Sequence, residues 1–151
     1  MERRQLLVSG LTTWVAAAAP AASAALANPT NPANLQAAML AFTGGAAVQD
    51  GKVRLDISPL VENGNTVPVT VSVPGLDATQ VRRLALFTER NPQPEVAVFQ
   101  LGPLAGRAVV STRMRLATSQ TVVALAQLAD GSCWQQRLQV VVTLAACVEG
   151  G

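Results

Sequence analysis

Thr66-Val67-Pro68-Val69-Thr70-Val71-Ser72-Val73 is the stretch that decides the fold. Its four valines occupy every second position, while Thr66, Pro68, Thr70 and Ser72 fill the gaps. An extended chain therefore has one apolar and one polar face here, which a helical period would scatter. Working outward, the same period of two recurs over residues 53–57, 82–89, 95–101, 108–116, 121–129 and 133–143. The breaks between runs carry turn chemistry: Glu62-Asn63-Gly64-Asn65, Asn91-Pro92-Gln93-Pro94, Gly102-Pro103 and Asp130-Gly131. Asp130-Gly131 is a hairpin dipeptide and predicts that the last two strands pair antiparallel. About seven short strands across roughly 100 residues predict an all-β, immunoglobulin-like sandwich. The Cys…Trp…Cys spacing of antibody domains is missing. Ahead of the strands, Asn31-Pro32 offers a cap and a first-turn proline. Leu35, Met39 and Phe42 then form one helical stripe, and Gly44-Gly45 supplies the stop, so a short helix is expected to lie on a sheet.

Composition agrees with this and narrows the chemistry. The chain has 151 residues, of which 50% are hydrophobic and 13% charged, enough for one compact domain and too few for two ordinary ones. Aromatics are 3% and there is no Tyr, so the core must be aliphatic. The absence of His excludes Ser-His and Cys-His nucleophile pairs and His-ligated metals. No cofactor is expected, and no catalytic residue of the chain's own is evident. Gly45 to Lys52 imitates a phosphate loop, but five residues separate Gly45 from Gly51, and Val53 stands where Ser or Thr would hold magnesium. The acidic residues are scattered, without the pairing needed for glycoside hydrolysis or a calcium loop. Arg113 and Arg115 share one strand face, opposite Met114 and Leu116, and read as a solvated face.

The N-terminus reads as an export signal. Arg3 and Arg4 stand side by side, the stretch from Leu6 to Ala27 is uncharged, and Ala25-Leu26-Ala27 is a small-x-small peptidase site. Ser9, Gly10, Thr12, Thr13 and Pro20 dilute the apolar run, which suits the twin-arginine route better than a retained anchor. Removal of residues 1–27 leaves 124 of the 151 and takes the net charge from +2 to +1, far from the basic surface that nucleic acid requires. The expected organisation is a signal at 1–27, a sandwich domain at 28–143 and a C-terminal arm at 144–151. The expected location is the periplasm, with no membrane association after cleavage.

Cysteine usage carries the functional signal. An exported chain with two cysteines ordinarily forms a disulfide. Here Cys133 opens the last strand and Cys147 lies beyond its end, so a continuous strand at about 3.3 Å per residue holds them roughly 35 Å apart, whereas a disulfide needs Cα atoms within about 7 Å. Cys133 is therefore expected to be a small packed residue near the hairpin. Cys147 has no internal partner and sits in Ala145-Ala146-Cys147-Val148-Glu149-Gly150-Gly151. The small residues and terminal glycines there predict a mobile arm with little reason to dock.

Four segments carry a resemblance to the SoxY sulfur carriers of bacterial thiosulfate oxidation: Glu62-Asn63-Gly64-Asn65-Thr66-Val67-Pro68-Val69, Asn91-Pro92-Gln93-Pro94-Glu95-Val96-Ala97, Thr112-Arg113-Met114-Arg115-Leu116-Ala117, and Asp130-Gly131-Ser132. The resemblance spans essentially the whole chain after the signal. It implies an immunoglobulin-like domain paired as a heterodimer with a second sandwich protein, SoxZ. It also implies a non-catalytic arm that holds sulfur intermediates covalently while separate sulfur-processing enzymes act on them. Only Cys147 carries over as the attachment site. The arm departs from the Gly-Gly-Cys-Gly-Gly of thiosulfate carriers and is similar to a related subfamily with an Ala-Ala-Cys-Ile-Glu arm, Val148 replacing Ile. Ala and Val restrict backbone freedom that glycine leaves open, and Glu149 sets a negative charge beside the thiol, so activation of the sulfur would fall to a partner's active site. The alternative from the residues alone is a structural or chaperone-like interaction module whose sheet edge binds a partner and whose cysteine is incidental. A third reading is redox sensing through a disulfide between two arms.

Overall fold

The computed structural model describes residues 32–147. The expected export signal at 1–27, the expected Asn31 cap and Val148, Glu149, Gly150 and Gly151 lie outside the described residues. Helix α1 (Pro32–Thr43) comes first. Nine strands follow among the described residues: β1 (Val48–Asp50), β2 (Arg54–Asp56), β3 (Leu60–Asn63), β4 (Val67–Asp77), β5 (Val81–Thr88), β6 (Glu95–Gln100), β7 (Arg107–Met114), β8 (Gln120–Leu128) and β9 (Cys133–Leu144). They form two sheets. The larger runs β1-β9-β8-β5-β6, with β3 also pairing to β9, and the smaller runs β2-β4-β7.

The alternating stretch becomes β4, the centre of the smaller sheet. Val67, Val69, Val71 and Val73 are all buried, and the residues between them are exposed or half-buried. Pro68 is tolerated in this central strand because β2 pairs only with residues 70–72, so its missing N–H leaves no ladder bond broken on that side. The valines meet Leu84, Leu86, Val122, Ala124, Ala126 and Val140 of the larger sheet in one aliphatic core. The interleaved residues of the same larger-sheet strands, Ala85, Phe87, Val123 and Leu125, point the other way and pack against Leu35, Met39 and Phe42 of α1. Strands β5 and β8 are thus covered on both faces and are apolar almost throughout, whereas β4 alternates because solvent lies on one side.

All seven expected runs are strands, and the helix buries the expected stripe. Arg83 fastens the end of α1: one guanidinium nitrogen donates to the Phe42 carbonyl at 2.7 Å, and the group lies 4.5 Å from the centre of the Phe42 ring. The Asp130-Gly131 turn joins β8 to β9 antiparallel as expected, with Gly131 at φ 87°.

Two strands exceed the expected number. Strand β1 pairs in parallel with the start of β9, and β3 pairs in parallel with its end. Glu62 and Asn63, which read as part of a break, belong to β3. Both strands are three or four residues long and take their conformation from the edge of β9 rather than from an alternating pattern of their own.

Candidate functional site

Cys133 and Cys147 are both free thiols, the first buried and the second exposed. Strand β9 runs unbroken between Cys133 and Leu144, and this continuity keeps the two sulfurs apart. Cys133 is wholly inaccessible, and burial pushes its thiol above the ordinary range, against a weaker opposite effect from Arg83. It is a packing residue at the hairpin, as expected. Cys147 is left as the accessible thiol.

The segment leading to Cys147 is not the loose arm that its small residues predict. Ala146 is 5% exposed, and its amide donates to the Leu116 carbonyl at 3.0 Å. The Cys147 amide donates to Asn65 Oδ1 at 3.2 Å. The Leu144 carbonyl accepts from Gly64 N at 2.8 Å, and Leu116 N donates back to the Gly64 carbonyl at 2.8 Å. The expectation of an undocked arm beginning at residue 144 is therefore corrected: the backbone of residues 144–147 is hydrogen-bonded to the domain and Ala146 is buried, while the side chains of Leu144, Ala145 and Cys147 face solvent.

The seat is built from three loops. Gly64 lies where a Cβ would be 2.5 Å from the Leu116 carbonyl oxygen and 3.0 Å from both Ala146 N and Val142 Cγ1. Glycine is required here for close approach of backbones, not for a left-handed conformation. Asn65 is aimed by its neighbour: Asn63 Oδ1 accepts from both Asn65 N (2.9 Å) and Asn65 Nδ2 (3.0 Å), which leaves Asn65 Oδ1 free to face the tail. Leu116 is fully buried, and the chain on either side of it is pinned by Asn91, whose Nδ2 donates to the Arg115 carbonyl and whose Oδ1 accepts from Ala117 N. Asn91 is held in turn by Gln120, a wholly buried amide. Its Oε1 accepts from Arg90 N and Asn91 N, and its Nε2 donates to Asn91 Oδ1 and the Thr118 carbonyl.

Sequence reasoning singled out Cys147 and did not single out Gly64, Asn65, Asn91 and Gln120, which hold the backbone beside it. Arg113 and Arg115 are exposed, as the solvated-face reading expects. Two grooves of about 520 Å³ lie on the smaller sheet, one lined by Arg54, Asp77 and Arg107 and the other by Pro68, Thr70 and Arg113, and neither reaches Cys147. Among the described residues no group of three or more Cys, Asp or Glu side chains is placed to hold a metal ion.

Fold and site together define a class: an all-β sandwich that presents one unpaired thiol where its C-terminal tail leaves the domain. Residues 37–147 match the family described as Sulfur oxidation protein SoxY, and the chain belongs to that family. Membership makes it a sulfur-oxidation protein of the carrier type that the sequence resemblance implies. No curated protein matches the chain. Among solved structures it is similar to the superoxide reductase (neelaredoxin) from Ignicoccus hospitalis, with TM-score 0.53 and 17% identity over 61% of this chain and 80% of that one. It is also similar to a hypothetical protein from Pyrococcus horikoshii, with TM-score 0.50 and 13% identity over 68% of this chain and 99% of that one. At such identities the likeness is one of fold.

Proposed function

We propose that this chain is a periplasmic sulfur carrier, exported by the twin-arginine route, which holds sulfur intermediates covalently on Cys147 while separate enzymes process them. The sandwich docks with a SoxZ-like subunit, and residues 145–151 form the presenting arm, in the Ala-Ala-Cys style rather than the Gly-Gly-Cys style. The observation that carries this reading is an exposed, unpaired thiol at the tail of a SoxY-family domain. Loading with a compound such as thiosulfate joins Cys147 Sγ to the outer sulfur: the thiol proton leaves, an S–S bond forms and two electrons pass to the loading enzyme. The chain itself supplies the attachment atom and its placement and is not the catalyst.

Intact mass of anaerobically purified mature protein tests this. Reducible adducts that map to Cys147 and vanish in Cys147→Ser are expected. A homogeneous unmodified mass after incubation with a thiosulfate-oxidising extract would overturn the carrier reading. Full function in Cys147→Ser would favour the interaction module.

A further inference from the structure

Three of the segments that carry the family resemblance, at 62–69, 91–97 and 112–117, meet at one place, the root of the tail. The second segment buttresses the third through Asn91, the third offers the Leu116 carbonyl to Ala146, and the first offers Gly64 and Asn65. The Asn65 bond reaches across 82 residues of sequence to the Cys147 amide. A turn that merely reversed the chain would need neither a glycine pressed to within 2.5 Å of a carbonyl oxygen at its missing Cβ nor an asparagine aimed at the tail by a second asparagine.

We propose that Asn65, aimed by Asn63 and brought up by Gly64, is a positioning residue that latches the tail root and holds the Cys147 sulfur at the surface of the domain. With the latch closed, the residue bearing the thiol is tethered by its own amide. A recessed active site can then be entered only after the Asn65–Cys147 and Leu116–Ala146 bonds open, whereas a shallow one can be served directly. The latch is a property of the free chain; its use in delivery rests on the carrier reading above.

The test compares wild-type mature protein with Asn65→Ala and Asn65→Asp, the latter keeping an acceptor for the Cys147 amide. Two readouts need no sulfur enzyme: hydrogen exchange at the Cys147 and Ala146 amides, and the ratio of Cys147 alkylation rates by a polymer-linked maleimide and by iodoacetamide. Loss of one hydrogen bond is expected to speed exchange at Cys147 about fivefold in Asn65→Ala and to raise the bulky-to-small ratio severalfold. Asn65→Asp keeps the acceptor for the Cys147 amide but loses the Nδ2 donor to Asn63 Oδ1, so its tail exchange and alkylation ratio should fall between those of wild type and Asn65→Ala. Amide exchange in β8 reports that the core is intact. Unchanged tail exchange, or an unchanged alkylation ratio, in Asn65→Ala overturns the latch. A faster tail in a protein that never forms Cys147 adducts leaves the latch standing and overturns the carrier reading instead.

Discussion

Gly64→Ala should cost stability out of proportion to one methyl group. The added Cβ would lie 2.5 Å from the Leu116 carbonyl oxygen, so one of the two backbones must move by most of an ångström. The contact at 3.0 Å to Ala146 N can be relieved by shedding the tail, and that at 3.0 Å to Val142 Cγ1, on β9, by a small shift of that side chain. The Leu116 contact cannot, because the Leu116 side chain is fully buried and its amide is bonded to the Gly64 carbonyl. Overpacking of this kind costs about 1–3 kcal/mol, and the loss of one or two hydrogen bonds adds about 1 kcal/mol each. Against this, alanine gains about 0.4–1 kcal/mol by restricting the unfolded chain. The net expectation is a loss of about 2–3 kcal/mol, or about 8–12 °C in Tm for a domain of this size. Gly102→Ala is the matched control, since its Cβ would meet nothing within 4 Å and its φ is −77°; it should be neutral or slightly stabilising. Urea and thermal unfolding of the reduced protein would measure both. A Gly64→Ala midpoint within about 2 °C of wild type, or equal to that of Gly102→Ala, would refute the close-approach reasoning.

Gln120→Leu removes the acceptor for two loop amides and the donor to Asn91 Oδ1 and Thr118; with those groups stranded, a loss of about 3 kcal/mol in urea unfolding is expected. Native protein should take up one alkyl group, on Cys147, and a second at Cys133 only on unfolding, as mass analysis would show. Because the buried Cys133 thiol keeps its proton in the folded state while the unfolded thiol releases it from about pH 9 upward, the unfolded state binds fewer protons there and stability falls as pH rises; Cys133→Ala should flatten that part of the profile. Asp130 accepts from both the hydroxyl and the amide of Ser132, which holds its carboxyl below the ordinary carboxylate range. Its contribution is therefore present above that range and lost as pH falls through the folded value, and an NMR titration should show the midpoint rise in Ser132→Ala.

The strands and helix that bury a face were legible because burial imposes a period, two in β4 and the stripe Leu35, Met39, Phe42 in α1. Strands β1 and β3 were not, because three or four residues on the edge of β9 carry too few positions for a period, and their conformation is set by pairing across more than 80 residues. The thiol was legible by elimination, since no partner could reach it. Its seat was not. Gly64, Asn65 and Asn91 are residue types that turns select for local reasons, and nothing in their spacing marks that one admits a distant carbonyl, one faces a distant amide and one braces the carbonyl itself.

The same seat gives a physical meaning to the alanines that distinguish this tail from a glycine arm. The Ala146 methyl lies in a buried position and its amide is tied to Leu116, so the residue adds apolar burial and a stiffer backbone to the docked state. Replacing it by glycine removes about 0.8 kcal/mol of methyl burial and adds about 0.5–1 kcal/mol of backbone entropy to be lost on docking. The docked state of Ala146→Gly should therefore weaken by about 1–2 kcal/mol, exchange at the Ala146 and Cys147 amides should rise roughly five- to thirtyfold, and the melting temperature should fall by at most about 4–8 °C. Ala145→Gly, at an exposed position, loses only the entropic part and should give a smaller rise. Equal effects at the two positions would show that backbone stiffness alone governs the tail, and the buried methyl would then have no part in holding Cys147.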